Sequence, residues 1–492
     1  MFKYLGISVL LLMTSNTLKS QVDTAEQLSH FIQQTLEVSE VIPSVSVALV
    51  NSKGILYHET FGYADIEKKV KAANQSSYYI ASVTKTYNGL LAQILAAEHQ
   101  LDLEAPILDY KPFKDFEKQA VFQGITIMDL LTHQSGIDNP YLTFRLAYSG
   151  DYNKAKILSL IENETVKNET GKQFLYTNFG YYLFDYLLQE ELGKSWKELL
   201  KEKIFNPLGM ENTTAFVSKV PKQKLALPHS GVIKGEVKVS LLQKSDEQMH
   251  AAGGLMSTTE DAAKYLSFYL NKGSGIYPEA LVDATLEQQA EADHQYIRVF
   301  EGKAYASGWR IGEFEKQKVY YHFGGYTGYA AHYSFLPQKN LGLVVLVNSD
   351  MGLTAANLIA KYAYNLYLGN QREVRKAEKI LSKKMPKLLA QERKAKRLHE
   401  EKLASRDWNL SLPTEKYVGT YYNENYGSVQ LDYQANQFVV KAGKLSSVAT
   451  AFPTENTMRV ELVPGSGTVI GFDVESGEVV SLYHQREIFL KQ

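Results

Sequence analysis

The chain has 492 residues, a formal net charge of −1, 45% hydrophobic residues and no cysteine. Length and apolar content allow about two to three domains with a sizeable core. The balanced charge gives nucleic acid no electrostatic reason to bind, and the lack of Cys excludes disulfides, thiolate metal sites and cysteine nucleophiles.

Residues 1–20 carry Lys3, an apolar run from Leu5 to Met13 and a small, polar stretch from Thr14 to Ser20. This pattern predicts a secretory signal, too short to span a bilayer comfortably, with a retained N-terminal anchor as the competing reading. No other apolar run is long enough for a membrane helix. The expectation is an exported protein, periplasmic or secreted, with no stable membrane span after signal removal.

Residues 25–38 predict an amphipathic helix through Leu28, Phe31, Ile32 and Leu36. The strand-like runs Pro43–Val50 and Ile55–Gly62 flank Asn51-Ser52-Lys53-Gly54, which has hairpin-turn composition. Ile80-Ala81-Ser82-Val83-Thr84-Lys85-Thr86 then runs into an apolar pattern at Leu90, Leu91, Ile94 and Leu95. Ser82 therefore opens a helix with Lys85 on the same face. A hydroxyl beside an amine at a helix N-terminus suits a nucleophile, because the amine can take the proton and the helix end favours developing negative charge.

From about residue 100 to 300 the pattern is mainly helical with long irregular connections. Ile125–Gly136 reads as one capped helix, Phe179–Leu192 as a second ending at Gly193, and Ser257-Thr258-Thr259-Glu260-Asp261 opens a third after Gly253-Gly254. Val319–His322, Tyr329–Leu336 and Leu341–Asn348 predict consecutive antiparallel strands, closed by a helix over Ala355–Tyr367. Strands at both ends with helices between them imply one sheet assembled from distant segments, from which a helical subdomain grows.

Residues 371–407 are rich in Lys, Arg and Glu around Pro386 and predict a solvated helical linker broken at that proline. Residues 408–492 show eight short alternating runs, from Tyr417–Tyr422 to Glu487–Leu490, separated by Gly, Asn and Pro turns. They predict a small antiparallel barrel or sandwich with no catalytic set of its own.

Three elements stand in order along the chain: Ser82-x-x-Lys85, Tyr176-Thr177-Asn178, and His322-Phe323-Gly324-Gly325. Each has a plainer reading. Tyr176-x-Asn178 is also an aromatic contact plus a helix cap, and the same pattern recurs at Tyr421-Tyr422-Asn423; His322 competes with His229-Ser230-Gly231. His322 is preferred because it lies between strand-like runs, and Gly324, Gly325 and Gly328 permit close backbone approach to a ligand.

In this order and context the three elements resemble the class C β-lactamase and penicillin-binding-protein-like serine hydrolases, a group that includes DD-peptidases, D-aminopeptidases and esterases. The resemblance covers roughly residues 25–370, and Leu130–Gly136 and Gly253–Thr258 look like its recurrent non-catalytic landmarks. It implies a mixed α/β (α+β) fold with a β-lactamase/transpeptidase-like antiparallel sheet flanked by helices. The domain plan becomes residues 1–20 signal, 21–370 hydrolase domain, 371–407 linker and 408–492 small all-β domain. It also implies roles: Ser82 the acylated nucleophile, Lys85 the proton acceptor, and Tyr176 a perturbed phenol serving both acylation and deacylation. Asn178 would position Lys85 and bond the substrate amide, and the N–H groups of Ser82 and Gly325 would form the oxyanion hole beside His322 and Gly324.

One departure from the group shapes the expectation. The third element commonly begins with Lys in β-lactamases and DD-peptidases, whereas here it is His322, neutral at pH 7 unless perturbed. Weaker carboxylate recognition follows, favouring peptidase or esterase action on an amide or ester over β-lactam hydrolysis. A receptor that acylates without turnover is the reading from another class, and an intact Tyr176 speaks against it. Among 11 His there is no His-Glu-x-x-His, and there is no Gly-x-Ser-x-Gly elbow. No metal and no cofactor is expected, and the partner is a small-molecule or peptide substrate, with the oligomeric state left open.

Overall fold

The computed structural model describes residues 22–492 apart from 169–170, 234 and 293–298. The signal expected over residues 1–20 lies outside the described residues. Among those described, no helix is long and apolar enough to cross a membrane.

Nine antiparallel strands form the larger sheet. Their spatial order is Ala290–Glu291, Glu301–Tyr305, Arg310–Phe314, Gln317–Tyr326, Tyr329–Leu336, Leu341–Val347, Ser44–Asn51, Gly54–Asp65 and Val70–Lys71. The N-terminal hairpin thus joins the late meander by pairing Val45–Val50 with Gly342–Val347. Leu341–Val347 is apolar without alternation because both faces are covered. Val344 and Leu346 join the core that holds Leu266 and Leu90, while Leu343, Val345 and Val347 join the core that holds Ile359 and Phe31. The helix over residues 22–39 and the helix Gly352–Tyr367 share that second core, with the rings of Phe31 and Tyr362 stacked at 3.8 Å.

Between the two strand groups lie Thr84–Ala97, buried along most of its length, Phe179–Leu192 and Thr259–Leu270. The expected helix over Ile125–Gly136 is shorter. Thr126 and Asp129 form a capping box, and the helix stops at Leu131 because His133 turns the chain with a positive φ of 63°. The strands Glu301–Tyr305 and Arg310–Phe314 lie between the stretch read as mainly helical, which ended at about residue 300, and the first expected late strand at Val319. They are five-residue strands interrupted by Gly302 and Gly312, so they show no usable alternation.

The charged segment is not broken at Pro386. Gln371–Lys379 continues through a π-helical turn, Ile380–Lys384, into Met385–Ala404, which places the proline in the first turn, where its missing N–H is tolerated. Nor is it only solvated, since Val374, Ala377, Leu381, Met385 and Leu389 pack into the second core. A linker face with five apolar contacts is anchored.

The C-terminal residues form a second nine-stranded antiparallel sheet. Its terminal strands, Leu445–Val448 and Thr450–Ala451, are separated only by Ala449, so the sheet curls into a nearly closed barrel around Tyr417, Phe438, Met458 and Phe472. The expected run Ser447–Phe452 is split between these two strands.

The barrel grips the helical subdomain. The buried Arg145 donates to the carbonyls of Asn425 (2.6 Å) and Glu424 (3.3 Å), Tyr141 donates to Glu487 (2.8 Å), and the Lys444 N–H donates to the Ser149 carbonyl (2.8 Å). Arg145→Met keeps the stem and removes the guanidinium. It is expected to weaken this docking by about 2–4 kcal/mol. Amide hydrogen exchange over Asn423–Gly427 should speed up, while exchange in Leu341–Val347 stays slow. Unchanged exchange in the turn would show that Arg145 holds nothing.

Candidate active site

Ser82 lies in a short 3₁₀ turn, Ala81–Val83, that leads directly into the helix Thr84–Ala97. Ala81, just before it, has a positive φ of 45°, a left-handed conformation that costs a non-glycine residue about 1 kcal/mol and is held by packing. The strand Gln317–Tyr326 runs hard against this turn. A Cβ on Gly324 would lie 2.0 Å from the Ile80 carbonyl oxygen, so only glycine fits there. Gly325, the next residue, is exposed and has nothing within 4 Å of a Cβ position. On its other side the strand loses its partner after Tyr321, which pairs with Arg310, so His322–Tyr326 presents an open edge.

The Lys85 side chain is fully buried, and its ammonium has three acceptors: Ser82 Oγ at 3.2 Å, Asn178 Oδ1 at 2.8 Å and the Ala252 carbonyl at 2.8 Å. Asn178 occupies the N-cap position of Phe179–Leu192 without capping it. Thr177 Oγ1 accepts from the Phe179 N–H instead (3.2 Å), which frees the amide for Lys85. Tyr176 packs beside them, with its ring centroid 4.9 Å from Lys85 Nζ and 5.1 Å from the guanidinium carbon of Arg310.

The electrostatics follow from this crowding. Burial pulls the Lys85 amine below its ordinary value, Tyr176 opposes that, and Arg310 adds to it. Burial alone would raise the Tyr176 phenol. The positive charge of Lys85, the nearness of Lys85 and of the Ser82 hydroxyl, and the charge of Arg310 outweigh it and hold the phenol below its ordinary value.

His322 is buried, with Nε2 3.3 Å from the Tyr305 hydroxyl and Nδ1 2.8 Å from the Phe323 carbonyl. Tyr305 in turn lies 3.3 Å from His133 Nε2, and His133 Nδ1 accepts from the Thr177 N–H (3.3 Å). One assignment satisfies every atom. His133 donates from Nε2 to Tyr305, Tyr305 donates to His322 Nε2, and His322 donates from Nδ1 to the backbone. Both imidazoles are then neutral. Burial first, and then the charges of Arg310 and Lys85, push His322 well below its ordinary value; burial, Lys85, His322 and Arg310 do the same to His133.

On the far side of Ser82, Lys244 is enclosed by Tyr326, Tyr79 and Tyr148, at 3.9, 5.4 and 6.0 Å from their ring centroids. Its amine donates to the Ala147 carbonyl at 2.7 Å, and burial pushes it down to about 7. The segment Ala147–Ser149 is the one the barrel turn touches through Lys444.

The structure therefore brings Ser82, Lys85, Tyr176, Asn178, His322 and Gly324 into one site, with Gly325 at its open edge. It places the competing patterns elsewhere. His229 accepts from the Ile66 N–H through Nε2 (3.2 Å), and Tyr421 is buried in the barrel, donating to the Tyr417 carbonyl. Sequence reasoning missed Arg310 and Tyr305, whose strands were not foreseen, and the Ala252 carbonyl. It read His133 as a non-catalytic landmark, whereas its carbonyl and Nδ1 pin the backbone of Leu175 (2.8 Å) and Thr177 (3.3 Å) on both sides of Tyr176. Among the described residues no group of three or more His, Asp or Glu is placed to hold a metal.

The Beta-lactamase family model matches residues 26–365. The chain belongs to that family. It is 25% identical over 327 residues to the Protein flp of Staphylococcus aureus strain MW2, a match covering 66% of this chain and 63% of that protein's length. It is 24% identical over 361 residues to a Beta-lactamase of Escherichia coli K12, covering 66% of this chain and 90% of the relative. Among solved structures, the octameric penicillin-binding protein homologue from Pyrococcus abyssi covers 95% of this chain and 99% of its own, with a TM-score of 0.61 at 22% identity. The D-amino acid amidase from Ochrobactrum anthropi SV3 covers 70% of this chain and 99% of its own, with a TM-score of 0.59 at 21% identity. These two likenesses show the fold, including, for the first, the C-terminal part.

Arg310 supplies a permanent charge beside Tyr176, so removing it raises the phenol's pKa. Arg310→Leu is expected to move the acid limb of kcat/KM for a neutral ester to higher pH, with more activity lost at pH 6 than at pH 9. An unmoved acid limb would show that Tyr176 is not the group whose deprotonation controls the rate.

Proposed function

We propose that this chain is an exported serine hydrolase that cleaves an amide or ester through an acyl-Ser82 intermediate, most simply as a peptidase or amidase on D-residue or peptidoglycan-type substrates. The observation that carries the reading is the triangle of Ser82 Oγ, the Lys85 ammonium and the lowered Tyr176 phenol, with Asn178 holding the lysine. The Lys85 ammonium already has three acceptors, so it serves as the charge that makes a phenolate accessible. Tyr176 is then the group that takes the proton.

The steps follow from that assignment. Ser82 Oγ attacks the carbonyl carbon as its proton passes to Tyr176. The carbonyl oxygen becomes an oxyanion, received by the backbone N–H groups of Ser82 and Gly325. Collapse expels an amine or alcohol, which leaves with the proton from Tyr176. Water then attacks the acyl-enzyme as its proton passes to Tyr176, and collapse breaks the bond to Ser82 Oγ, which takes that proton back as the acid leaves. Tyr176 serves in both halves, which favours turnover over a receptor that stays acylated.

His322 supports the preference for amides and esters over β-lactams, because its Nε2 is occupied as an acceptor and its ring is neutral, so it offers no charge to a carboxylate. The D-residue preference rests on the fold shared with the D-amino acid amidase. A carboxylesterase on the same site is the second reading, since the same residues serve an ester.

The test uses the purified protein with a fluorophosphonate probe and a panel of D- and L-amino-acid amides, short acyl esters and a cephalosporin. One equivalent of label is expected, absent in Ser82→Ala, with kcat in that variant reduced on the order of 10⁶-fold. D-amides or esters should be turned over faster than the cephalosporin. Label surviving in Ser82→Ala, or a cephalosporin as the best substrate, would overturn the corresponding part of the proposal.

A further inference from the structure

A cavity of about 340 Å³, lined by none of the residues gathered around Ser82, lies between the helix Trp196–Leu200 and the loop that follows Met210. Its wall carries four lysines, Lys197, Lys201, Lys219 and Lys224, and one acidic side chain, Glu211. The neighbouring Lys194 and Lys203 pair with Glu202 and Glu98, at 2.7 and 2.9 Å. The four in the cavity have no carboxylate within ion-pair distance among the described residues. Lys197 donates to the backbone carbonyl of Asp246 (3.3 Å) and Lys224 to the amide oxygen of Asn212 (3.4 Å). The carboxylate of Asp246 is taken up by the N–H and hydroxyl of Ser218.

The Lys197 and Lys219 ammoniums lie 4.6 and 4.2 Å from the centroid of one ring, Phe216. The charge of Lys219 acts against the Lys197 ammonium, while Asp185, Asp246 and Glu247, beyond ion-pair distance, act in its favour. A second observation points the same way. Ser77, 3% exposed and also in the wall, has a buried hydroxyl with no hydrogen-bond partner among the described residues. A buried hydroxyl left unpaired is unusual, and it needs an acceptor.

We propose that this cavity binds an organic phosphate. A phosphate monoester brings up to two negative charges and several acceptor oxygens to one point, which suits several ammoniums and a hydroxyl better than the single charge and two oxygens of a carboxylate. Phe216, Met210 and Val220 in the same wall give the organic substituent an apolar surface. Ser77 leads through the strand Tyr78–Tyr79 to Ser82, but the site is separate from the catalytic one.

Phenyl phosphate tests this by calorimetric titration of the full chain at low ionic strength, with benzoate as the carboxylate comparison. Saturable binding of one equivalent is expected, weakened about tenfold or more in Lys219→Glu and in Lys201→Glu, and retained in Ser82→Ala. Circular dichroism checks that each variant is folded, and the two lysines are exposed, so one failing leaves the other. Absence of saturable binding would overturn the proposal, as would unchanged affinity in both lysine variants or benzoate binding as tightly as phenyl phosphate. Loss of binding in Ser82→Ala would place the ligand in the catalytic site and also overturn it. None of these outcomes bears on acylation of Ser82.

Discussion

An ammonium buried with no carboxylate beside it among the described residues is the constraint around which this molecule is built. Lys85 has no solvent exposure, and an ion so placed is tolerated only when every proton on it finds an acceptor. The three acceptors come from three separate parts of the chain: Ser82 on the adjoining turn, Asn178 at the mouth of another helix, and Ala252 in the loop before Gly253-Gly254. Satisfying the ammonium therefore fixes how these parts sit. The turn before Arg310 shows the same demand, since Gly308, with a positive φ of 81°, leaves no room for a side chain against the Lys85 carbonyl, where a Cβ would lie 2.2 Å away. That close approach brings Tyr305 and Arg310 to the site.

Around this cation the structure keeps other groups neutral. His133 and His322 are joined through Tyr305 in a chain of hydrogen bonds whose directions hold only if neither imidazole is protonated. The positive charge of Lys85 and Arg310 acts the same way on all three groups, disfavouring further protons, whereas burial adds to it at the imidazoles and opposes it at the phenol. The same field that suppresses imidazolium prepares Tyr176 and suits an oxyanion on the substrate.

The barrel is part of this arrangement. The barrel turn at Lys444 supports Ser149, and two residues before it the Ala147 carbonyl holds the Lys244 amine among Tyr326, Tyr79 and Tyr148. Tyr326 ends the open edge that begins at His322, and Tyr79 leads into the nucleophile turn. The barrel thus backs one wall of the site through a short run of contacts.

The sequence by itself determined the candidate groups and much of the scaffold. Ser82 and Lys85 are three residues apart in the chain, so their shared face needs no tertiary information, and the hairpin, the late strands and the barrel runs are marked by strand-forming residues between turn residues. The resemblance of three short motifs was enough to indicate the family, because each sits on a recognisable element. What only the tertiary structure decided is the electrical environment of those motifs. Arg310 and Tyr305 lie on short strands with little alternation, and nothing local marks them as neighbours of Tyr176. His133 owes its part to a positive φ and to contacts with Leu175 and Thr177, more than forty residues away in the chain. Local spacing selects which groups can react, whereas charge and desolvation act through space, and those are set by the fold.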